Sequence, residues 1–222
     1  MSSRPFPASA RAWRGTCAEH VTPRATSNAA ARPKPDLPVK RFASRAVWEA
    51  WLEKHHATSQ GLWVEFGKKG SGIPSVTHAE ALESALRYGW IDGQTASVDA
   101  RMFRQRFTPR RPRSKWSKIN CATVERLLVE GTLAPAGARE MEAAKRDGRW
   151  ASAYDSPRNI QVPEDLAAEL RKRPAARRFF EQLDSRNRYA VLYRLSDAKK
   201  PETRQRRLEQ FVRMLENGET LH

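Results

Sequence analysis

The stretch that decides the fold is Trp90-Ile-Asp-Gly-Gln-Thr-Ala-Ser-Val-Asp-Ala-Arg-Met-Phe-Arg-Gln-Arg-Phe107. We expect a strand from Trp90 to about Ser97, a turn over 98–101 and a returning strand over 102–107, because two short strands joined by a turn of this kind form a hairpin. Alternation along the returning strand predicts one packed face and one basic face. The packed face carries Phe103, Gln105 and Phe107, and the basic face carries Met102, Arg104 and Arg106.

A third strand and two helices are predicted on the N-terminal side of this hairpin. Leu62-Trp-Val-Glu-Phe66 alternates and is rich in aromatic and branched residues, which is typical of a strand. Ser44 can cap a helix that runs to about Ala57, and Thr77-x-x-Glu80 is a capping box for a helix that Gly89 ends. The sequence therefore predicts an α+β fold with a small three-stranded sheet, including the hairpin, packed by helices.

Beyond the hairpin the chain is predicted to be mainly helical. Glycines and prolines separate helices at 121–130, 135–147, 163–172, a stretch that begins at Pro174, 185–198 and 201–216. We therefore divide the chain into a disordered basic arm at 1–38, an α+β domain at 39–155 and a helical C-terminal subdomain at 156–222.

The first 38 residues have a different composition from the rest. They hold six Lys/Arg against Glu19 and Asp36, with Pro, Ser, Ala and Thr at most other positions, so they should not fold. Three interpretations stay open: a genuine arm, a targeting segment, or a start codon placed too far upstream.

The overall charge is strongly positive. The 41 Lys+Arg and 25 Asp+Glu give a net charge of +16, with a pI near 10.6. A nucleic acid, a phosphate-bearing ligand or an acidic surface is a candidate partner. The alternative is a basic composition that merely leaves a solvated face. Cys17 and Cys121 cannot form a disulfide framework, and the five histidines lack zinc-binding spacing. We therefore expect a cytoplasmic protein with no metal, no cofactor and no membrane span.

The strongest local signal is the segment from Arg101 to Lys118, which holds eight Lys/Arg and no acid. Its two prolines stiffen the backbone, its Arg side chains suit phosphate or carboxylate, and its Trp offers a stacking face. The alternative is that Ser117 or Asn120 caps the next helix, that Trp116 is buried, and that Asp92 is a structural acceptor. The candidate ligand-binding residues are Trp90, Asp92, Arg110, Arg111, Ser114, Trp116, Ser117 and Asn120.

A second basic site is possible at the start of the last helix. Lys199-Lys-Pro-Glu-Thr-Arg-Gln-Arg-Arg207 places cations where the helix dipole disfavours them, which hints at a use for Arg204 and Arg207. Exposed basic helices are common, so this signal is weaker than the one at 101–118.

Several of these motifs together resemble the bacterial YdeI/OmpD-associated family. They are the W-x-x-W-L that begins at Trp48, the G-W-I-D-G that begins at Gly89, the P-R-R-x-x-S-x-W-S-x-x-N over 109–120, Ala144 to Trp150, and the Thr-Arg-x-Arg-Arg tail that ends at Arg207. The similarity runs from about Val39 to Gly218. The resemblance implies a bacterial α+β protein linked to bacteriocin protection and antimicrobial peptide resistance, and an association with an outer-membrane porin. It supplies no reaction.

Three functions compete at this point. The first is a non-enzymatic cytoplasmic protection or stress protein, whose basic segment binds an anionic small molecule or an acidic protein surface; there Asp92 would orient an arginine or accept from the ligand. The second is a nucleic-acid-binding protein, although no helix-turn-helix, RRM or zinc-finger signature supports it. The third is an enzyme that uses Asp92 beside Ser114 or Ser117, although no known catalytic motif is visible.

Overall fold

Four strands form one sheet in the computed structural model, which describes residues 37–222. They are β1 (Val39–Arg41), β2 (Leu62–Gly67), β3 (Trp90–Ser97) and β4 (Met102–Pro109), in the spatial order β1-β2-β4-β3. β1 runs parallel to β2, and β4 is antiparallel to both β2 and β3. The prediction of an α+β fold is confirmed.

The sheet has four strands where the sequence predicted three, because β1 was not predicted. β1 has only three residues, all of them exposed, so it carries no alternation of buried and exposed positions. Its pairing with β2 makes it a strand. The predicted arm at 1–38 lies outside the described residues except for its last two positions. Leu37 is buried, and the carbonyl of Pro38 accepts a hydrogen bond from the Trp63 amide, so the folded part begins before Val39.

Two helices cover one face of the sheet. α1 (Arg45–His55) begins at Ser44, whose hydroxyl accepts from the Val47 amide. α2 (His78–Arg87) begins with the predicted capping box, in which Thr77 and Glu80 satisfy each other's amides. Gly89 follows α2 with φ +74, and a Cβ there would meet the Ala136 carbonyl at 2.9 Å. Only glycine fits this position without strain.

The first hydrophobic core lies between these two helices and the sheet. Strand alternation directs Leu62, Val64 and Phe66 of β2 and Phe107 of β4 into it, together with Trp48 of α1. The side chains at the intervening positions point to the other face. The predicted division of β4 into a packed face and a basic face therefore agrees with the structure.

Six helices follow the sheet. They are α3 (Lys118–Val129), α4 (Pro135–Arg146), α5 (Glu164–Lys172), α6 (Pro174–Gln182), α7 (Ser185–Ser196) and α8 (Pro201–Glu216). α3 begins three residues earlier than predicted, because Ser117 rather than Asn120 is its N-cap. No helix in the described part of the chain is long and apolar enough to cross a membrane.

Two further hydrophobic clusters hold these helices. One joins α2, α3 and α4 around Leu86, Trp116, Val124 and Met141. The other lies within α5–α8 and contains Leu166, Leu170, Phe180, Leu195, Phe211 and Leu215. The loop between α4 and α5 connects the two groups of helices, and it forms part of the candidate site.

Candidate functional site

The segment after β4 folds back on itself and docks against the loop that follows α4. The amide of Arg110 donates to the Gly89 carbonyl at 3.0 Å, which extends the β3–β4 pairing by one residue. The amide of Arg111 then donates to the Ser114 hydroxyl, and the Ser114 amide donates back to the Arg111 carbonyl, which closes a turn. Tyr154 pairs with the residues beside Ser117 through two backbone hydrogen bonds.

Arg110 is a buried cation at the centre of this arrangement. Its side chain is only 6% exposed, and its guanidinium lies 3.5 Å from the centre of the Trp116 ring. One guanidinium nitrogen donates to the Lys115 carbonyl at 3.2 Å, while Nε and Nη2 are buried and have no hydrogen-bond partner among residues 37–222. Burial lowers the pKa of Arg110 to about 10, so the group stays charged at neutral pH.

Trp116 carries a second buried donor without an acceptor. Its indole N–H is buried and makes no hydrogen bond within the described residues. Its ring packs against Trp150 at 4.7 Å between centroids, and it also lines a cavity. The stacking surface predicted from the sequence is thus occupied on one side by Arg110 and on another by Trp150.

Two cavities that share lining residues open beside the segment after β4, and Trp116 lines the larger one; we call them together the basic cleft. Their volumes are about 260 Å³ and about 490 Å³, and both are lined by Lys115, Ser152, Asp197 and Lys199. Five cations and three carboxylates line them in total. The cations are Arg113, Lys115, Lys118, Arg149 and Lys199, and the carboxylates are Asp147, Asp155 and Asp197.

Most of these charges form pairs across the cleft. The ammonium group of Lys115 donates to Asp197 and to the Tyr193 hydroxyl, and Lys118 pairs with Asp155 at 2.9 Å. The hydrogen bond to Asp197 is the main reason that the pKa of Lys115 is raised. Lys199 and Arg113 form no ion pair with the described residues, so the cleft keeps an excess of positive charge.

Tyrosine hydroxyls complete the lining and its surroundings. Burial raises the pKa of Tyr154 above its usual value and raises that of Tyr189 to about 12, so both phenols stay protonated at neutral pH. The Tyr189 hydroxyl donates to the Asp155 carbonyl at 3.1 Å. Tyr154 packs edge-on against Tyr193. A protonated phenol can donate a hydrogen bond to an anion.

Asp92 has its hydrogen-bond partners within the sheet and on α2. It pairs with Phe107, so its side chain lies on the face of the sheet that the first core occupies. The Asp92 carboxylate accepts from Gln105 at 2.8 Å and lies 3.2 Å from the His78 ring. Asp92 thus has the structural acceptor role that was the alternative interpretation, and its roles beside an arginine or beside Ser114 or Ser117 stay predictions.

The other predicted residues divide between core, caps and cleft. Trp90 is buried in the first core, and its indole donates to the His56 carbonyl. Ser117 caps α3 by accepting from the amide of Asn120, which is itself buried. The helix cap that was the alternative interpretation is therefore present at Ser117, and ligand-binding roles for these three residues stay predictions. Arg111 is exposed at the turn.

The possible second basic site is a structural contact. Arg204 forms a two-point ion pair with Asp165 and also donates to the Leu195 carbonyl. Arg207 donates to the Arg194 carbonyl. These bonds tie α8 to α5 and α7. Arg204 and Arg207 therefore have structural contacts, and a ligand-binding role for them stays a prediction.

Sequence reasoning missed most of the residues that line the cleft. Lys115 and Lys118 lie inside the basic segment, but nothing local showed that they point into a cavity. Tyr154, Asp155 and Asp197 come from other parts of the chain. The one local signal for this part of the lining was the pair of aromatic residues, Trp150 and Tyr154, in the loop after α4. Among residues 37–222, no group of three or more His, Cys, Asp or Glu side chains could hold a metal ion.

Comparison with known families gives two matches, one for each part of the chain. Residues 40–140 match a family described as a domain of unknown function (DUF8412), and residues 159–218 match the family described as Bacteriocin-protection, YdeI or OmpD-Associated. No curated protein and no solved structure matches the chain. The resemblance to the YdeI/OmpD-associated family is confirmed over α5–α8. The G-W-I-D-G and 109–120 motifs lie in the first match instead.

Proposed function

We propose that this protein contributes to bacteriocin protection by binding a small anion in the basic cleft. The proposed link to protection rests on the match of residues 159–218 to the YdeI/OmpD-associated family. The cleft is lined by the segment after β4, by the loop after α4 and by the C-terminal end of α7. It therefore draws on both matched parts of the chain. An anion bound there would contact residues from each of them.

The observation that carries this proposal is the burial of the Arg110 guanidinium without a counter-ion among the described residues. Burying a charge without a counter-ion is unfavourable, and folded proteins normally pair buried charges or lose them. Arg110 keeps its charge at neutral pH with no carboxylate in ion-pair contact among the described residues. Arg110 itself lines neither cavity, but it lies against Trp116, which lines the larger one. An anion bound in that cavity would add negative charge beside the Trp116 ring, against which Arg110 packs.

The size and charge of the cleft favour a small anion over a protein partner. The larger cavity, at about 490 Å³, lies in the range of small-molecule sites. Arginine, lysine and phenol donors suit phosphate or carboxylate groups. Capture of a cationic peptide is disfavoured, because a chain with a net charge of +16 repels it. The protein would then contribute to protection by binding an anionic molecule, and it would not sequester the cationic peptide itself.

Isothermal titration with inorganic phosphate and pyrophosphate tests the proposal. We expect pyrophosphate to bind the wild type, and the double variant Lys115→Gln/Lys118→Gln to bind it at least about 10-fold more weakly, because each lost ammonium removes a charge-assisted hydrogen bond. The matched control is Lys54→Gln/Lys69→Gln, which removes two exposed charges elsewhere.

The control separates a site from general electrostatic attraction. Equal weakening in both double variants would show that net charge alone attracts the anion, and it would overturn the proposal. Absence of pyrophosphate and phosphate binding to the wild type, together with no co-purified anion in native mass spectrometry, would overturn it as well. A co-purified anion that is lost in Lys115→Gln/Lys118→Gln would identify the ligand.

A further inference from the structure

The face of the sheet opposite α1 and α2 is a second charged surface, and its residues do not line the basic cleft. Strand register places Arg41, Glu65 and Arg104 side by side across β1, β2 and β4, and it places Trp63 beside Arg106. We call these five residues the open sheet face. None of the five is buried. The helices that pack on the sheet, α1 and α2, lie on its other side.

Arg104 and Arg106 lack the carboxylate partners that some other arginines of the chain have. Arg126 and Arg173, for example, each form ion pairs with two glutamates. Arg104 and Arg106 form no ion pair with any described residue, and the Nε atom of each is shielded from solvent without a hydrogen-bond partner. Their guanidinium groups are therefore available to an anionic ligand.

An aromatic ring lies between these charges. The guanidinium of Arg104 lies 5.0 Å from the centre of the Trp63 ring, so the two groups form a cation–π pair on the sheet surface. Trp63 is only half-buried, although a tryptophan is usually well buried in a protein of this size. A flat ring beside free guanidinium groups on an exposed sheet can stack a nucleobase while the arginines contact phosphates.

We infer that the open sheet face binds single-stranded nucleic acid. Arg104 and Arg106 lie about 7 Å apart along one strand, since alternate residues share a face, and they can therefore contact one backbone together. Trp63 and Arg104 provide the stacking surface. A duplex fits less well, because its bases are already stacked on one another and cannot reach the ring. The inference concerns a different surface from the basic cleft and stands independently of it.

Fluorescence anisotropy with a labelled oligothymidylate of about 12 nucleotides tests this inference on the full chain. We expect Arg104→Gln/Arg106→Gln to weaken binding at least about 10-fold near 150 mM salt. The variant should also make the log–log salt dependence shallower by about 1.4, which corresponds to two single-strand phosphate contacts. Trp63→Leu should weaken binding roughly 5-fold or more through lost stacking, whereas Trp63→Phe should retain most of it.

Two controls make the outcome decisive. Lys115→Gln/Lys118→Gln removes two positive charges from the basic cleft, the same number that Arg104→Gln/Arg106→Gln removes from the sheet. It should leave the affinity for oligothymidylate within about 2-fold of the wild type at each salt concentration. A duplex of the same length should bind at least about 10-fold more weakly than the single strand. Circular dichroism melts establish that each variant is folded.

Three results would overturn the inference. They are a wild type that does not bind the single strand near physiological salt, equal affinity for the duplex, and equal losses in the sheet and cleft variants. The last result would indicate a general electrostatic effect of net charge. Pyrophosphate binding by Arg104→Gln/Arg106→Gln reports on the cleft alone, so the two proposals can fail separately.

Discussion

Replacing Arg110 by methionine tests whether its buried charge serves a ligand or the fold. Methionine has a similar length and no charge, so it can fill the space against Trp116. If the charge is kept for a ligand, its removal should not destabilise the protein. If it is a structural element, the variant should melt at a clearly lower temperature.

The expected magnitude follows from the surroundings of Arg110. Burial lowers the pKa of Arg110 from its ordinary value to about 10, which corresponds to a cost of about 3 kcal/mol for keeping the folded state charged. The contact with Trp116 contributes about 1–2 kcal/mol in return, and the hydrogen bond to the Lys115 carbonyl contributes about 1 kcal/mol. These contributions nearly cancel, so Arg110→Met should change the stability by no more than about 1 kcal/mol.

The lowered pKa of Arg110 also determines at which pH its burial lowers the free energy of unfolding. The folded pKa of Arg110 lies below its unfolded value, so the unfolded state binds more protons in the window that begins near pH 10 and ends at the unfolded pKa. The penalty is therefore fully present at neutral pH and disappears only as the pH rises through that window. A melt at neutral pH in a buffer without phosphate or other multivalent anions consequently reports the whole effect.

The assay is differential scanning calorimetry with Arg204→Met as the matched control. Arg204 has a two-point ion pair with Asp165, so the loss of this paired charge should lower the Tm by several degrees. We expect Arg110→Met to melt within about 4 °C of the wild type and to lose pyrophosphate binding. A fall of more than about 8 °C, or unchanged pyrophosphate binding, would refute the proposed role of Arg110.

Three further predictions concern the fold. Gly137→Ala should destabilise the protein by about 1–3 kcal/mol in urea denaturation, because the new Cβ would lie 2.4 Å from the Arg87 carbonyl oxygen; an unchanged midpoint would show that the backbone yields freely there. Ser117→Ala should lower the stability by about 1 kcal/mol through the lost cap of α3 and leave pyrophosphate binding intact, whereas impaired binding would assign Ser117 to the ligand site. Arg204 donates a hydrogen bond that holds the pKa of Asp165 below its usual value, so this pair stabilises the fold at neutral pH and ceases to do so as the pH falls through the lowered pKa. The free energy of unfolding should therefore fall less steeply with decreasing pH in Arg204→Met than in the wild type. Identical pH profiles for the two proteins would contradict this prediction.

The local elements of the fold could be predicted because their signals lie within a few residues of one another. Thr77 and Glu80 form their capping box across three positions, and alternation between Met102 and Phe107 sets the two faces of β4. β1 could not be predicted in this way. It is three residues long, and it exists because Val39 pairs with Trp63, 24 positions further along the chain.

The candidate site was predicted only in part, because its chemistry depends on partners that are distant in sequence. The basic segment was recognised, and it does line the cleft. Its sequence gave no sign that Arg110 would be buried, since an arginine in a run of charges is normally solvated. Asp92 was assigned to the same site, but the sequence could not show that its carboxylate accepts a hydrogen bond from Gln105 of the neighbouring strand.

Sequence alone therefore determined the helices with their caps, the pairing of β3 with β4, and the concentration of positive charge after β4. Tertiary structure alone decided which of these charges are neutralised. Lys115 meets Asp197 across 82 positions, Arg204 meets Asp165 across 39, and Arg110 meets no carboxylate in the described chain. The physical reason is that capping and alternation act over the span of one turn or strand. Charge pairing depends instead on distances of a few ångströms, which exist only after the distant segments have packed together.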